Sequence, residues 1–189
     1  ELVSSQWYLP KINMPDAWST STGKDMIVAV LDTGITVSHE DMAGQILTGR
    51  NVVSDNSDVT DINGHGTQTS GVIAALTNNS IGISSVAYDA KILPIKISEQ
   101  ANGYAYTSHV AEALNWAADN GADIANLSYD FATSTTVANA ASYFRSKGGL
   151  VVISAGNSGG DLNCTENTNV IVVSATDKSD NKASWSDYG

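Results

Sequence analysis

Three polar side chains, each placed at the end of an apolar run or between glycines, could carry chemistry in this sequence. Asp32 ends the run VAVL and precedes a Thr-Gly pair, His65 stands between two glycines, and Asn157 follows the run VVISAG. A buried carboxylate can orient a histidine and stabilise its cation, and the histidine can act as a general base. An amide placed after a strand can donate to a developing oxyanion. The three residues are therefore candidates for the parts of one catalytic site.

Each motif also has another interpretation when it is taken alone. Asp-Thr-Gly marks aspartic proteases, but these need two such carboxylates, and no second D-T-G or D-S-G occurs here. Gly156–Gly160 fits the G-x-S-x-G of a nucleophile elbow, with Ser158 as nucleophile, yet no histidine follows His109 as that fold requires. The same segment is similar to the G-x-S-G-G of trypsin-like enzymes, which are paired β-barrels. Plain turns explain the Asp32 and Asn157 segments equally well in isolation.

Apolar runs alternate with helical patterns along the chain. The runs predict strands at Met26–Leu31, Ala90–Ile97, Asp123–Leu127, Leu150–Ser154 and Val170–Ala175, with helices at Gly66–Leu76, Thr107–Asn120 and Thr135–Lys147. This alternation predicts an α/β fold, a parallel sheet with helices on both faces. Ligands of such sheets bind beyond the carboxyl ends of the strands. Asp32, Ser128 and Asn157 all follow predicted strands, so we expect them at one rim.

Composition narrows the classes of partner. The 189 residues are 42% hydrophobic and carry a net charge of −11 with only 9 Lys and Arg, which disfavours nucleic acid and anionic membranes as partners. No apolar run is long enough to span a bilayer, so we do not expect a membrane protein. The single cysteine, Cys164, is either a free thiol or half of a pair whose partner lies outside this sequence.

The three motifs, in this order and at these separations, resemble the Asp, His and oxyanion-Asn blocks of the subtilisin-like serine proteases, or subtilases. The segment ADIANLS at 122–128 resembles their substrate-binding strand, and ASWSDYG at 183–189 resembles their S-x-S-x-x-G segment. The resemblance covers nearly all of the chain. It implies that residues 1–189 are the N-terminal portion of a single three-layer catalytic domain, incomplete at its C-terminus. It also implies a secreted, extracellular endopeptidase that acts on polypeptides.

In this family the nucleophilic serine lies in a G-T-S-M-A block after the S-x-S-x-x-G segment, and that block is absent here. The resemblance therefore implies that Asp32, His65 and Asn157 are catalytic, and that a C-terminal segment or second chain carries the serine. We expect the 189 residues alone to be inactive. The alternative is a non-catalytic, truncated subtilase domain used for binding or assembly.

Two departures from the family pattern concern residues near the site. Gln68 stands where a second histidine is usual, and Tyr129-Asp130-Phe131 replaces Leu-Gly-Gly on the binding strand. A carboxylate and an aromatic ring there would change the substrate pocket, and the carboxylate would favour Lys or Arg side chains. By resemblance the substrate-binding residues are Gly103, Ser128, Tyr129, Asp130, Ala155 and Gly156.

The resemblance also implies a structural calcium ion. Asp41 takes the place of the family's aspartate ligand, and the loop LTNNSIGI at 76–83 resembles the calcium loop of thermitase-type enzymes. Carboxylate, amide and carbonyl oxygens suit Ca²⁺. The implied ligands are Asp41, the Asn79 side chain, and the carbonyls of Leu76, Ile81 and Ile83. A solvated, Asn-rich turn is the alternative.

Overall fold

A parallel sheet of six strands organises the chain. The computed structural model describes residues 2–163 and 167–189, so Cys164 lies outside the described part. The strands lie in the order β2-β3-β1-β4-β5-β6, and every pair is parallel. Their bounds are β1 Ile27–Asp32, β2 Arg50–Asn51, β3 Lys91–Lys96, β4 Ile124–Leu127, β5 Leu150–Ser154 and β6 Val170–Val173.

Helices cover both faces of the sheet because the strands are apolar on both sides. The helices are α1 Tyr8–Lys11, α2 Met14–Trp18, α3 His65–Ala74, α4 Thr107–Asp119 and α5 Thr135–Ser146, with 3₁₀ turns at Val3–Ser5 and Glu40–Met42. Successive residues of β1 point to opposite faces. Ala29 and Leu31 pack in the core with α4 and α5, whereas Val28 and Val30 pack in the core with α3. The predicted three-layer α/β fold is confirmed.

The strand order places a crevice at the carboxyl end of β1. From β1 the chain adds β2 and β3 on one side of β1, and then crosses to add β4, β5 and β6 on the other. In open α/β sheets a ligand site forms where the order reverses in this way. Asp32 is the last residue of β1, and Ser128 directly follows β4. Both predicted site residues therefore lie at the switch point.

The predicted elements are present, but some of their ends differ. We expected α3 to continue to Leu76, yet it ends at Ala74 because the Leu76 N–H donates to the Asp41 carbonyl, 2.7 Å away. The expected strand at Val170–Ala175 ends at Val173, since the Ala175 N–H donates to the Ser186 hydroxyl instead of continuing the ladder. The N-cap of α5 is Ser134, whose hydroxyl accepts from the Val137 N–H.

Within the described residues, none of the helices has both the length and the apolar character needed to cross a bilayer.

Candidate active site

Asp32 and His65 are hydrogen-bonded to each other at the carboxyl end of the sheet. Asp32 is fully buried at the end of β1, and the side chain of His65, the first residue of α3, is 47% exposed. His65 Nδ1 lies 2.7 Å from Asp32 Oδ1 and 2.9 Å from Oδ2. The other ring nitrogen, Nε2, has no hydrogen-bond partner among the described residues. The pair is thus arranged to present Nε2 as a base, with the carboxylate behind it.

The hydrogen bond to Asp32 raises the pKa of His65 above its ordinary value of 6.5. Partial burial acts in the opposite direction, because it disfavours the imidazolium. The negative charges of Asp32 and Asp61 add to the rise. The two carboxylates therefore stabilise the imidazolium cation that forms when His65 takes up a proton.

A close backbone approach fixes the position of His65. Gly66 packs so tightly on the turn after β1 that a Cβ atom at this position would lie 2.2 Å from the Gly34 carbonyl oxygen. Such a contact is impossible for any residue larger than glycine without moving the backbone. The glycine after His65 therefore allows α3 to start directly against the strand that carries Asp32.

Asn157 lines the same cleft as His65. Together with Ser128, Ser154 and Gly156, these residues line an open cleft of about 370 Å³. Gly156 has a φ of +117°, which turns the chain sharply out of β5 and leaves Asn157 exposed. An amide donor and a base that share one cleft are the two groups that acyl transfer requires on either side of a carbonyl.

The Asp187 carboxylate holds the loop after β5. Its Oδ1 atom accepts from the Ser158 N–H at 3.0 Å and from the Gly160 N–H at 2.7 Å, while its own N–H donates to the Gly156 carbonyl. Ser158, the residue of the G-x-S-x-G alternative, is not part of the lining that His65 shares. The structure does not bring Ser158 and His65 together as a nucleophile and its base.

The residues assigned to substrate binding lie around the same crevice. Gly103, Ser128 and Tyr129 line a second, adjoining pocket of about 190 Å³ that also includes His65. The Tyr129 hydroxyl donates to the Gly103 carbonyl at 2.8 Å, and its ring meets the His65 ring edge-on at 6.1 Å. Burial is the main factor that raises the pKa of Tyr129, so this hydroxyl stays protonated and donates.

Asp130 and Ala155, the other two residues predicted to bind substrate, differ in their exposure to solvent. Asp130 is exposed, but its carboxylate carbon lies 3.3 Å from the place that a Cβ atom of Gly156 would occupy. Ala155 is buried directly behind Gly156, and its N–H pairs with the Val173 carbonyl. Asp130 and Ala155 therefore lie next to Gly156, but neither is among the residues that line the cleft.

Sequence reasoning missed several residues at this site, among them Thr33, Asp61 and Trp185. Trp185 lines the cleft, and Thr33 lines the adjoining pocket. Asp61 accepts hydrogen bonds from the backbone around His65. An aspartate shortly before a glycine-flanked helix start is a signal for backbone capping, and that signal was available at Asp61.

The expected calcium ligands lie in one loop around Asp41. Asp41 is only 3% exposed; its Oδ1 accepts from the Asn79 side-chain amide at 2.7 Å, and its Oδ2 accepts from the Ile83 N–H at 2.9 Å. Asn79 Oδ1 accepts from the Ile81 N–H. In the described part of the chain, no group of three or more His, Cys, Asp or Glu side chains could hold a metal. Any ion here would bind the Asp41 carboxylate and would otherwise depend on amide and carbonyl oxygens.

Comparison with known proteins identifies the family. The model described as "Subtilase family" matches residues 23–189. The chain belongs to the subtilase family. Thermitase from Thermoactinomyces vulgaris is 38% identical to this subtilase over 193 residues, which cover 98% of this chain and 68% of thermitase. A thermophilic serine proteinase from Bacillus sp. (strain AK1) is also 38% identical, over 92% of this chain and 44% of its own length.

A solved structure supports the same assignment. A protease from Pseudoalteromonas arctica PAMC 21717 superposes with a TM-score of 0.84 at 32% sequence identity, over 94% of this chain and 64% of its own. The subtilase chain therefore spans less than two thirds of that structure and less than half of the Bacillus relative. An "Extracellular protease" from Xanthomonas campestris pv. campestris is 32% identical over 99% of this chain.

Proposed function

We propose that the complete protein is a secreted serine endopeptidase in which Asp32 and His65 work with a serine outside these 189 residues. The Asp32–His65 pair, hydrogen-bonded at 2.7 Å beside a cleft that Asn157 also lines, is the observation that carries the proposal. The extracellular description of the Xanthomonas relative supports secretion. Polypeptides are the proposed substrates, and a C-terminal segment or second chain is the proposed source of the serine.

The proposed chemistry follows from the positions of these groups. His65 Nε2 takes the proton from the serine hydroxyl as the serine oxygen bonds to the peptide carbonyl carbon. The Asn157 amide donates to the oxyanion of the tetrahedral intermediate. The intermediate collapses, and His65 gives its proton to the leaving amine. Water then hydrolyses the acyl-enzyme by the same steps, with His65 again as base. Asp32 orients the His65 ring and keeps the imidazolium in place.

The test is hydrolysis of a peptide substrate by the complete protein and by two histidine variants. We expect His65→Ala to lower kcat by about 10⁴-fold or more. His109→Ala is the matched control, because His109 lies on α4 away from the cleft lining, and we expect it to retain activity. A serine-directed phosphonylating reagent should inactivate the complete protein. If the complete protein hydrolyses no peptide and takes up no reagent, the non-catalytic binding or assembly domain is the better description.

We also propose that Asp41 and its loop bind a structural Ca²⁺ ion. Asp41 is buried and makes no ion pair with any described residue, so its charge lacks a cation inside the protein. A buried carboxylate without a cation is costly, and a metal ion would relieve that cost. The side chains of Asp41 and Asn79 and the carbonyls of Leu76, Ile81 and Ile83 are the proposed ligands. The ion would hold the loop to the turn at Glu40–Met42 and has no part in the chemistry.

A further inference from the structure

We propose that Asp61 is a positioning residue of this subtilase, whose carboxylate holds the turn that carries Asp32 against the first turn of the helix that carries His65. Asp61 lies four residues before His65, in the loop that leads into α3. It touches neither ring nitrogen of His65, so its effect on catalysis would be exerted through the residues that it holds. The inference rests on the proposed function, in which His65 is the base.

The first set of contacts joins Asp61 to the Asp32 turn. The Thr33 hydroxyl donates to Asp61 Oδ1 at 2.8 Å, and the same hydroxyl accepts from the Gly66 N–H at 3.0 Å. Thr33 directly follows Asp32, and its own N–H donates to Asp32 Oδ1 at 2.7 Å. One hydroxyl, fixed by Asp61, therefore connects the residue after Asp32 to the residue after His65.

The second set of contacts joins Asp61 to the start of α3. Oδ1 also accepts from the Asn63 and Gly64 N–H groups, at 3.0 and 2.8 Å. Oδ2 accepts from the Thr67 N–H at 3.0 Å and from the Thr67 hydroxyl at 2.6 Å. With the bond from Thr33, the carboxylate accepts hydrogen bonds from five donors. Few side chains accept so many, so this carboxylate is a fixed point of the loop.

These contacts replace the cap that α3 cannot provide for itself. The first N–H groups of a helix have no partner inside it, and the N-cap residue here is Gly64, which has no side chain. The His65 N–H donates to the Asn63 side chain, Gly66 donates to Thr33, and Thr67 donates to Asp61. Two of these three caps depend on Asp61, directly or through Thr33. Loss of the carboxylate would therefore loosen the turn that aims the His65 ring.

The negative charge of Asp61 has a second effect, on the proton affinity of His65. Partial burial alone would raise the pKa of Asp61, but hydrogen bonds from Thr67, Gly64 and Thr33 lower it to about 2, so the group is ionised at neutral pH. The titratable groups facing His65 are Asp32, Asp61 and the protonated Tyr129 hydroxyl. Lys96 lies nearby and donates to the carbonyl of the residue before Asp61. Removal of the Asp61 charge should lower the pKa of His65.

The first experiment titrates the His65 ring by NMR in the complete protein and compares Asp61→Asn with Asp58→Asn. Asp58 is the matched control, because it is an exposed carboxylate in the same loop that accepts from the Thr60 N–H and contacts nothing at the site. We expect Asp61→Asn to lower the pKa of His65 by about half a pH unit and Asp58→Asn to leave it unchanged. The acid limb of kcat/KM should move by the same amount. Equal titration curves for the two variants would overturn the inference.

The second experiment separates positioning from charge with two variants of Thr33. Thr33→Val removes the hydroxyl but no charge, so we expect kcat to fall about 10-fold with little change in KM, because a misplaced base slows the chemical step. Thr33→Ser keeps the hydroxyl and should recover most of that loss. Equal kcat values for the Val and Ser variants would contradict the connection through Thr33.

Failure of the inference and failure of the proposed function give different results. The NMR titration needs no turnover, so a complete protein that hydrolyses nothing but shows the shift for Asp61→Asn would refute the protease function and support the role of Asp61. If the protein is active and neither Asp61→Asn nor Thr33→Val changes its kcat or the pKa of His65, the protease function is intact and the role of Asp61 is refuted.

Discussion

The Asp32–His65 hydrogen bond determines the pH range in which the subtilase site can act. His65 accepts a proton only when it is neutral, so kcat/KM should rise with pH through the pKa of this residue. Because Asp32 raises that pKa above 6.5, we expect the midpoint of the acid limb above pH 6.5 in the complete protein. Asp32→Asn should move the limb to lower pH and lower kcat by about 10⁴-fold. The measurement is kcat/KM between pH 5 and 9, and a wild-type midpoint below 6.5 would contradict it.

Asp130 lies next to the lining of the cleft without being part of it, and we propose that its charge influences which side chains the cleft accepts. Its carboxylate lies beside Gly156, which lines the cleft, so a cationic substrate side chain there would gain from charge complementarity. We expect the complete protein to prefer Lys or Arg over Glu at one subsite. Asp130→Gly should lower that ratio of kcat/KM values about 5-fold, and less at high salt because exposed charges are screened.

A peptide library profiled with the wild type and the variant measures this preference. Asp16→Asn, an exposed carboxylate on α2, is the control for a change of net charge. If the profiles of wild type and Asp130→Gly agree for basic and acidic side chains at every subsite, Asp130 does not set specificity.

At the scale of the elements, two glycines of α3 should respond to alanine in opposite directions. A Cβ atom on Gly66 would meet the Gly34 carbonyl at 2.2 Å, so Gly66→Ala must push the helix away from β1 and should destabilise the fold by about 2 kcal/mol. A Cβ atom on Gly71 finds its nearest neighbour at 3.8 Å, and alanine is the better helix former. Gly71→Ala should therefore stabilise by about 0.5 kcal/mol. Denaturant unfolding of both variants measures the difference, and equal stabilities would refute this packing.

Calcium should stabilise the connection between the Asp41 turn and the loop after α3. An ion that binds only the folded state raises the melting temperature according to its concentration. We expect a chelator to lower the melting temperature of the complete protein by several degrees and added Ca²⁺ to restore it. Asp41→Asn should abolish the response to calcium, whereas Asp16→Asn should retain it. If the chelator does not change the melting temperature, the loop at 76–83 is a solvated, Asn-rich turn and not a calcium site.

The elements that the sequence predicted are those with a clear local signal, either an aliphatic run for a strand or a helical repeat for a helix. The five predicted strands are runs of β-branched and aliphatic residues, and α4 repeats apolar residues at helical spacing, so local pattern and tertiary packing agree there. The strand β2 was missed because Arg50–Asn51 is short and polar and exists only by pairing with β3. The helices α1 and α2 are too short to show a period.

The residues of the candidate site also divide into those that a local sequence pattern marks and those that only the tertiary fold brings together. Asp32, His65 and Asn157 could be found because strand ends and glycines mark them in the sequence. Four of the five donors to Asp61 come from the next six residues, which its position before the helix start signals, but the fifth is the Thr33 hydroxyl, and no local spacing encodes that contact. The bond between Tyr129 and Gly103 likewise joins residues from two separate loops. Contacts of this kind follow from the tertiary fold and could not be predicted from a local pattern.

At the scale of the whole molecule, apolar side chains collect on and near the last strand. β6 pairs with β5 alone among the described strands, and Ile171 and Val173 are 46% and 48% exposed. Trp185, at 53% exposed, lines the cleft beside Val173. Large apolar patches on soluble proteins usually mark a surface that another element covers. We propose that further chain covers this surface, because this chain spans only 68% and 64% of the lengths of two of its relatives.

The complete protein should therefore differ from the 189-residue chain both in activity and at this surface. If the further chain packs on β6 and carries the serine, the amides of Val170–Val173 should exchange with deuterium at least about 10-fold more slowly in the complete protein, since paired and buried amides open less often. Trp185 fluorescence should shift to shorter wavelength, and peptide hydrolysis should occur only in the complete protein.

Robust hydrolysis by the 189-residue chain that is lost on Ser158→Ala would instead make Ser158 the nucleophile. Exchange rates that are equal in both proteins would show that the additional chain packs elsewhere, and the serine would then have to reach His65 from another side of the cleft.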